Sequence, residues 1–152
     1  MRKVIETIEL YKFNELDYPT QQQILNEFYD INVDFEWWEY IYNEAESIGL
    51  KITSFSLDRD YYIKGHSTKD IDTIKELILA NHGENCKTYK LVNEWDLNDE
   101  TIDIDKCINS LLKEYLKLLQ KEYDYRISTE AIEETIECND YEFTKEGILY
   151  NG

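Results

Sequence analysis

Six apolar residues, Ile104, Ile108, Leu111, Leu112, Tyr115 and Leu119, recur at spacings of three and four and so fall on one face of a helix. The pattern predicts a helix over about residues 102–124, the longest in the chain, with a stripe that has to be buried. Its charges agree with that direction. Asp99, Glu100, Asp103 and Asp105 precede or open it, where the helix dipole favours anions. Lys113, Lys117 and Lys121 lie toward the other end, where cations are favoured.

Shorter elements follow from the same periodicities. Residues 3–13 read as a strand, with Ile8 and Leu10 alternating against Glu9 and Tyr11. Asp17 to Thr20 reads as a helix start with Pro19 in its first turn, carrying Ile24, Leu25 and Phe28 inward. A second helix over about 34–48 would bury Phe35, Trp38, Ile41, Tyr42 and Ala45, with Gly49 as its C-terminal cap. Lys51–Leu57 and Tyr61–Lys64 alternate as the two arms of a hairpin around Asp58-Arg59-Asp60. Ser67 to Asp70 has capping-box spacing ahead of Ile71, Ile74, Leu77 and Ile78, a helix that ends near His82-Gly83. Residues 84–101 read as polar and turn-rich, anchored by Tyr89, Leu91 and Trp95. A last helix starts near Ser128-Thr129 with Ile132 and Ile136 inward, and Tyr141–Tyr150 reads as a hairpin across Lys145-Glu146-Gly147. Helices outnumber locally paired strands, so the expected class is α+β: a mostly helical single domain, residues 1–152, with short antiparallel hairpins.

The charge sets the kind of partner. There are 33 acidic residues against 16 basic ones, for a net charge of −17. Such a chain repels nucleic acid and anionic membranes, which predicts no direct nucleic-acid binding and no membrane association. Its natural partners are basic: a nucleic-acid-binding protein, a basic toxin, or cations. Charge of this size also serves solubility alone.

Catalytic and cofactor chemistries are sparse. Asp96, Asn98 and Glu100 resemble the opening of a calcium loop, but Thr101 stands where that loop needs glycine and Cys107 where it needs a bidentate glutamate. His82 and Cys86 are four apart, yet Gly83 intervenes and no C-x-x-C completes a zinc set. No nucleophile elbow, P-loop or dinucleotide fingerprint is present. Carboxylate pairs of the kind used in glycoside hydrolysis occur by chance in any chain this acidic. The expectation is therefore a non-enzymatic protein with no cofactor and no metal. Cys86, Cys107 and Cys138 are odd in number and widely spaced, and residues 1–13 carry no secretory signal, which points to a cytoplasmic protein with reduced thiols.

Two features remain as candidate partner-binding sites. Glu130, Glu133, Glu134 and Glu137 share one face of the last helix, opposite Ile132 and Ile136. The pairs 130–134 and 133–137 place like charges at i, i+4, which costs roughly 0.2–0.5 kcal/mol each in an isolated helix. Glu137 also sits at the end where the dipole disfavours it. Four charges over about 10.5 Å of helix give roughly one per 2.6 Å, within the ~1.7–3.4 Å per charge of nucleic-acid backbones. The second candidate is Trp37 with Glu36. Adjacent Trp37 and Trp38 point about 100° apart on a helix; Trp38 falls on the apolar stripe and Trp37 at its edge, within reach of Tyr40 and Ile41, as an interface anchor.

Several stretches resemble a known group: Tyr11-Lys12-Phe13-Asn14-Glu15-Leu16, Asp34-Phe35-Glu36-Trp37-Trp38-Glu39-Tyr40, and Gly49-Leu50-Lys51-Ile52 with Phe55-Ser56-Leu57-Asp58-Arg59. Asn81-His82-Gly83-Glu84-Asn85-Cys86 and Tyr141-Glu142-Phe143-Thr144 continue the resemblance to the end of the chain. It is similar to a family of small acidic, mostly uncharacterised proteins of phages and prophages of low-GC bacteria, often labelled antitoxin-like. The resemblance carries over no catalytic residues, and it implies a protein of the host bacterial cytoplasm. By analogy with phage-encoded acidic proteins, it implies a stoichiometric inhibitor of a host defence effector, of the anti-CRISPR or DNA-mimic kind. The alternatives are an antitoxin-like neutraliser of a basic toxin and, from another class, an enzyme with a carboxylate-based site.

Overall fold

The computed structural model describes residues 1–150. Among these the class is α+β: six helices and two small antiparallel sheets of two strands each. The elements run β1 (Tyr11–Lys12), α1 (Tyr18–Glu27), α2 (Glu39–Ser47), β2 (Leu50–Ser56), β3 (Tyr62–Ser67), α3 (Ile71–Asn81), α4 (Lys87–Asn93), α5 (Ile104–Arg126), α6 (Thr129–Cys138) and β4 (Glu142–Phe143). Among the described residues, no helix is long and apolar enough to cross a membrane. Contacts divide into two compact units, Met1–Trp37 with the chain from Tyr123 on, and Trp38–Glu122.

The first unit is built on α1 and α6. Asp17 caps α1 by accepting from Thr20 N at 2.9 Å, and Ser128 caps α6 by accepting from Ala131 N at 3.2 Å. Both caps satisfy a backbone N–H that a helix start leaves without a partner. The core gathers Phe13, Leu16, Ile24, Leu25, Ile132, Ile136 and Phe143, with Phe28 packed against the rings of Tyr141 and Phe143. The expected strand over 3–13 shrinks to two residues. Tyr11 and Lys12 pair with Phe143 and Glu142, and residues 1–10 take no regular structure. β4 cannot extend that pairing, because the chain turns at Thr144, whose N–H donates to Ile148 O and whose carbonyl accepts from Gly147 N. Gly147 has φ +87°, and a Cβ there would lie 2.8 Å from Thr20 Cγ2, so the turn requires glycine. The C-terminal hairpin is present only as this turn and a single bridge from Phe143 to Leu149.

The second unit carries the β2–β3 hairpin, packed by α2, with α3 and α4 in contact with each other. Its register runs Leu50↔Ser67 to Ser56↔Tyr62 with a bulge near Thr53. Gly49, at φ +96°, ends α2 as the sequence suggests. Three expectations shift here. α2 begins at Glu39 rather than 34. α3 is capped by Asp70, the last residue of the expected box rather than its first, which accepts from Thr73 N at 2.8 Å. The stretch 84–101 contains a helix, α4, whose inward residues are Thr88 and Val92. The α5 stripe is buried from Ile108 to Leu119, whereas Ile104 in the first turn is exposed.

Candidate functional site

α6 turns Ala131, Ile132 and Ile136 inward. The 100° step between residues then leaves Glu130, Glu134 and Glu137 exposed and Glu133 half-buried. Glu133 lies within about 60° of Ile136 around the helix, which draws it toward the core edge. No lysine, arginine or histidine occupies the last turn of α6. Among the described residues, no cation pairs with Glu130, Glu133, Glu134 or Glu137. Glu134 Oε2 lies 3.5 Å from the Tyr125 hydroxyl, a marginal contact. Beyond α6 the acidic surface continues through Asp140, paired with Lys12 at 3.5 Å, and exposed Glu142. Glu137 and Asp140 border a shallow cavity of about 240 Å³ floored by Phe13, Ile136 and Tyr141. The structure therefore gathers three of the four predicted glutamates on one open face.

Trp37 takes a different position from the expected one. Trp37 is buried, at 5% exposure, with its ring 5.8 Å from that of Tyr123. Trp38 is half-buried and packs edge-on against Phe55 at 5.6 Å. The reversal follows from the late start of α2. Asn32 is tied by its side-chain amide to Arg126 O, by its carbonyl to Arg126 Nη1 and by its Oδ1 to the Thr135 hydroxyl. Turns and bends therefore persist through residues 31–38, and the helical wheel that placed Trp37 at the edge of the apolar stripe does not apply. Glu36 is exposed, but the neighbouring ring available at the surface is that of Phe35, 55% exposed beneath the Arg126 guanidinium at 5.7 Å.

A second constellation lies in the other unit and was not foreseen. Four elements each contribute one residue: Glu44 from α2, His82 at the end of α3, Thr88 from α4 and Tyr115 from α5. His82 Nδ1 lies 2.6 Å from Thr88 Oγ1, and Nε2 pairs with Glu44 Oε1. Tyr115 donates to Glu44 Oε2 at 2.8 Å. Both ring nitrogens of His82 are therefore engaged, Nε2 by the Glu44 carboxylate and Nδ1 by the Thr88 hydroxyl. Burial pushes the Glu44 carboxyl up, but hydrogen bonds from His82 and Tyr115 and the charge of His82 outweigh it, leaving the carboxyl below its usual range. Tyr115 is held well above the ordinary phenol range, by burial first and then by the Glu44 charge.

The order hydroxyl, imidazole, carboxylate is that of a nucleophile relay. Two facts give it another use. Thr88 is 5% exposed, closed to a substrate, and Tyr115 occupies the second Glu44 oxygen. The cluster satisfies two buried hydroxyls and ties four helices together. It also engages both ring nitrogens of His82, and Cys86, four residues on, is exposed at the start of α4. Asp96, Asn98 and Asp99 instead organise turns, Asp96 accepting from Asn98 N and Asp99 from Thr101. Among the described residues, no group of three or more His, Cys, Asp or Glu converges as a metal site. Protein-family models, curated proteins and solved structures offer no match to the chain.

Proposed function

We propose that the protein works by stoichiometric binding, presenting the acidic outer face of α6 to a basic, nucleic-acid-binding surface of another protein. The observation that carries this reading is the exposure of Glu130, Glu134 and Glu137 along one helix face, with no cation paired to them among the described residues. Three charges over about 10.5 Å of helix give roughly one per 3.5 Å, close to the ~3.4 Å phosphate spacing along a single strand. A fold that needed α6 only for packing would gain by placing lysine among these positions. The net charge of −17 favours encounter with a basic surface and opposes nucleic acid itself. Taken with the resemblance to phage and prophage proteins, the partner is a bacterial defence effector, and occupation of its nucleic-acid site is the mode of inhibition.

The test is capture from a bacterial lysate with the wild type and with Glu130→Gln/Glu134→Gln/Glu137→Gln, followed by titration of the captured protein's nucleic-acid binding. The expected result is inhibition that saturates at a fixed molar ratio, weakens steeply with salt and is lost in the triple variant. Inhibition that turns over, or that the variant retains without salt dependence, overturns the reading.

A further inference from the structure

The segment before β1 has strand character but no strand partner. Lys3-Val4-Ile5-Glu6-Thr7-Ile8-Glu9-Leu10 leads directly into Tyr11, is rich in β-branched residues, and exposes Val4 at 69%, Ile5 at 94% and Ile8 at 56%. Within its own chain it cannot lengthen the β1–β4 pair, since β4 ends at Phe143 in the Thr144–Gly147 turn. β4 meets β1 on one side and Leu149 on the other, so β1 is an edge strand. An exposed run of this composition continuing an edge is a template for pairing with another chain.

Its own sequence specifies the occupant. Laid antiparallel against a second copy about a two-fold axis at Glu6, the segment places Lys3 opposite Glu9 and Val4 opposite Ile8, each pair occurring twice, with Ile5 opposite Thr7. One like pair, Glu6 with Glu6, falls on the axis. Moving the two-fold so that Ile5 lies on the axis sets Lys3 against Thr7 and Val4 against Glu6; moving it to Thr7 sets Glu6 against Ile8 and Ile5 against Glu9. Of these three registers, only the Glu6-centred one matches opposite charges and apolar side chains together; a two-fold at Val4 sets Arg2 against Glu6 but pairs only residues 1–7 and leaves Ile8 to Leu10 without partners. We propose that residues 2–10 form a two-stranded antiparallel ribbon between two copies of this chain, a symmetric dimer contact independent of the acidic face of α6. A ribbon of two strands is marginal alone. Here each strand continues into a β1–β4 pair, and the contact is a weak, concentration-dependent one with a dissociation constant on the order of 10–100 μM.

Sedimentation equilibrium of the full chain at about 0.15 M salt, where charges beyond ~8 Å are largely screened, tests this. The wild type is expected to dimerise reversibly. Ile8→Asp should raise the dissociation constant about tenfold or more, and Lys3→Glu or Glu9→Lys alone should weaken it several-fold, on the scale of cross-strand pair effects. The double exchange Lys3→Glu/Glu9→Lys should restore it, and Glu6→Gln should tighten it. These side chains lie outside the core, so far-ultraviolet circular dichroism at about 1 μM, below the expected dissociation constant, should be the same for all variants. A wild type still monomeric at ~1 mM, tenfold above the expected range, overturns the proposal. So does a dimer indifferent to Ile8→Asp, or one that the double exchange fails to restore.

Discussion

Tyr115 and Glu44, 71 positions apart in the chain, are joined by a 2.8 Å hydrogen bond in which the phenol donates to Oε2 of the carboxylate. The ring of Tyr115 is wholly buried, whereas the Glu44 side chain is 43% exposed. A buried residue of α5 thus holds a surface carboxylate, which in turn holds His82.

Tyr115→Phe keeps the ring and removes the donor. It should lower the unfolding free energy by about 1 kcal/mol, below the ~1.5–3 kcal/mol typical for a hydrogen bond to a charged group, since water partly replaces the phenol at the exposed carboxylate. Tyr115→Ala should cost about 3–5 kcal/mol by opening a core cavity. Urea unfolding midpoints distinguish the two.

Because the Glu44 carboxyl titrates below its usual range in the folded chain, the unfolded state binds its proton first as pH falls. Its contribution to stability is therefore complete above the ordinary glutamate range and is lost as pH drops through the lower folded value. Thermal melts of wild type and Glu44→Gln should differ most at neutral pH, in favour of the wild type, and converge at strongly acidic pH. A difference that grows on acidification would contradict the sign.

Trp37 belongs to the core of its unit, so Trp37→Ala should destabilise the protein by about 3–5 kcal/mol. Had the indole been a surface anchor, the same change would fall within the ~0.5 kcal/mol usual for surface substitutions. Denaturant titration followed by circular dichroism decides between these values.

Glu134→Gln/Glu137→Gln relieves both i, i+4 repulsions on α6 and leaves Glu130 at the N-terminal end, where the dipole favours it. Two pairs at ~0.2–0.5 kcal/mol predict a gain of about 0.4–1 kcal/mol at low salt, shrinking as salt screens the wild-type repulsion. A loss of stability would mean that these glutamates make favourable contacts within the fold.

Much of this architecture was legible residue by residue. Asp17 and Ser128 cap their helices within three residues; the stripes Ile74–Ile78, Ile108–Leu119 and Ile132–Ile136 repeat every three or four residues, within about one turn; and β2 meets β3 through a five-residue connection. Each of these signals comes from partners so near in sequence that backbone geometry alone brings them together. The acidic face of α6 was readable for the same reason, since the inward isoleucines determine which glutamates point out. The misses share the opposite property. Trp37 and Trp38 exchanged roles because Asn32 is bound to Arg126 and Thr135, 94 and 103 positions away. β1 is two residues long because its partner, more than 130 positions later, turns at Thr144. The Glu44, His82, Thr88 and Tyr115 cluster exists only once four helices have packed. Periodicity and capping rules carry no information over such separations, and the side-chain partners that end a strand, delay a helix or satisfy a buried hydroxyl were chosen by tertiary packing.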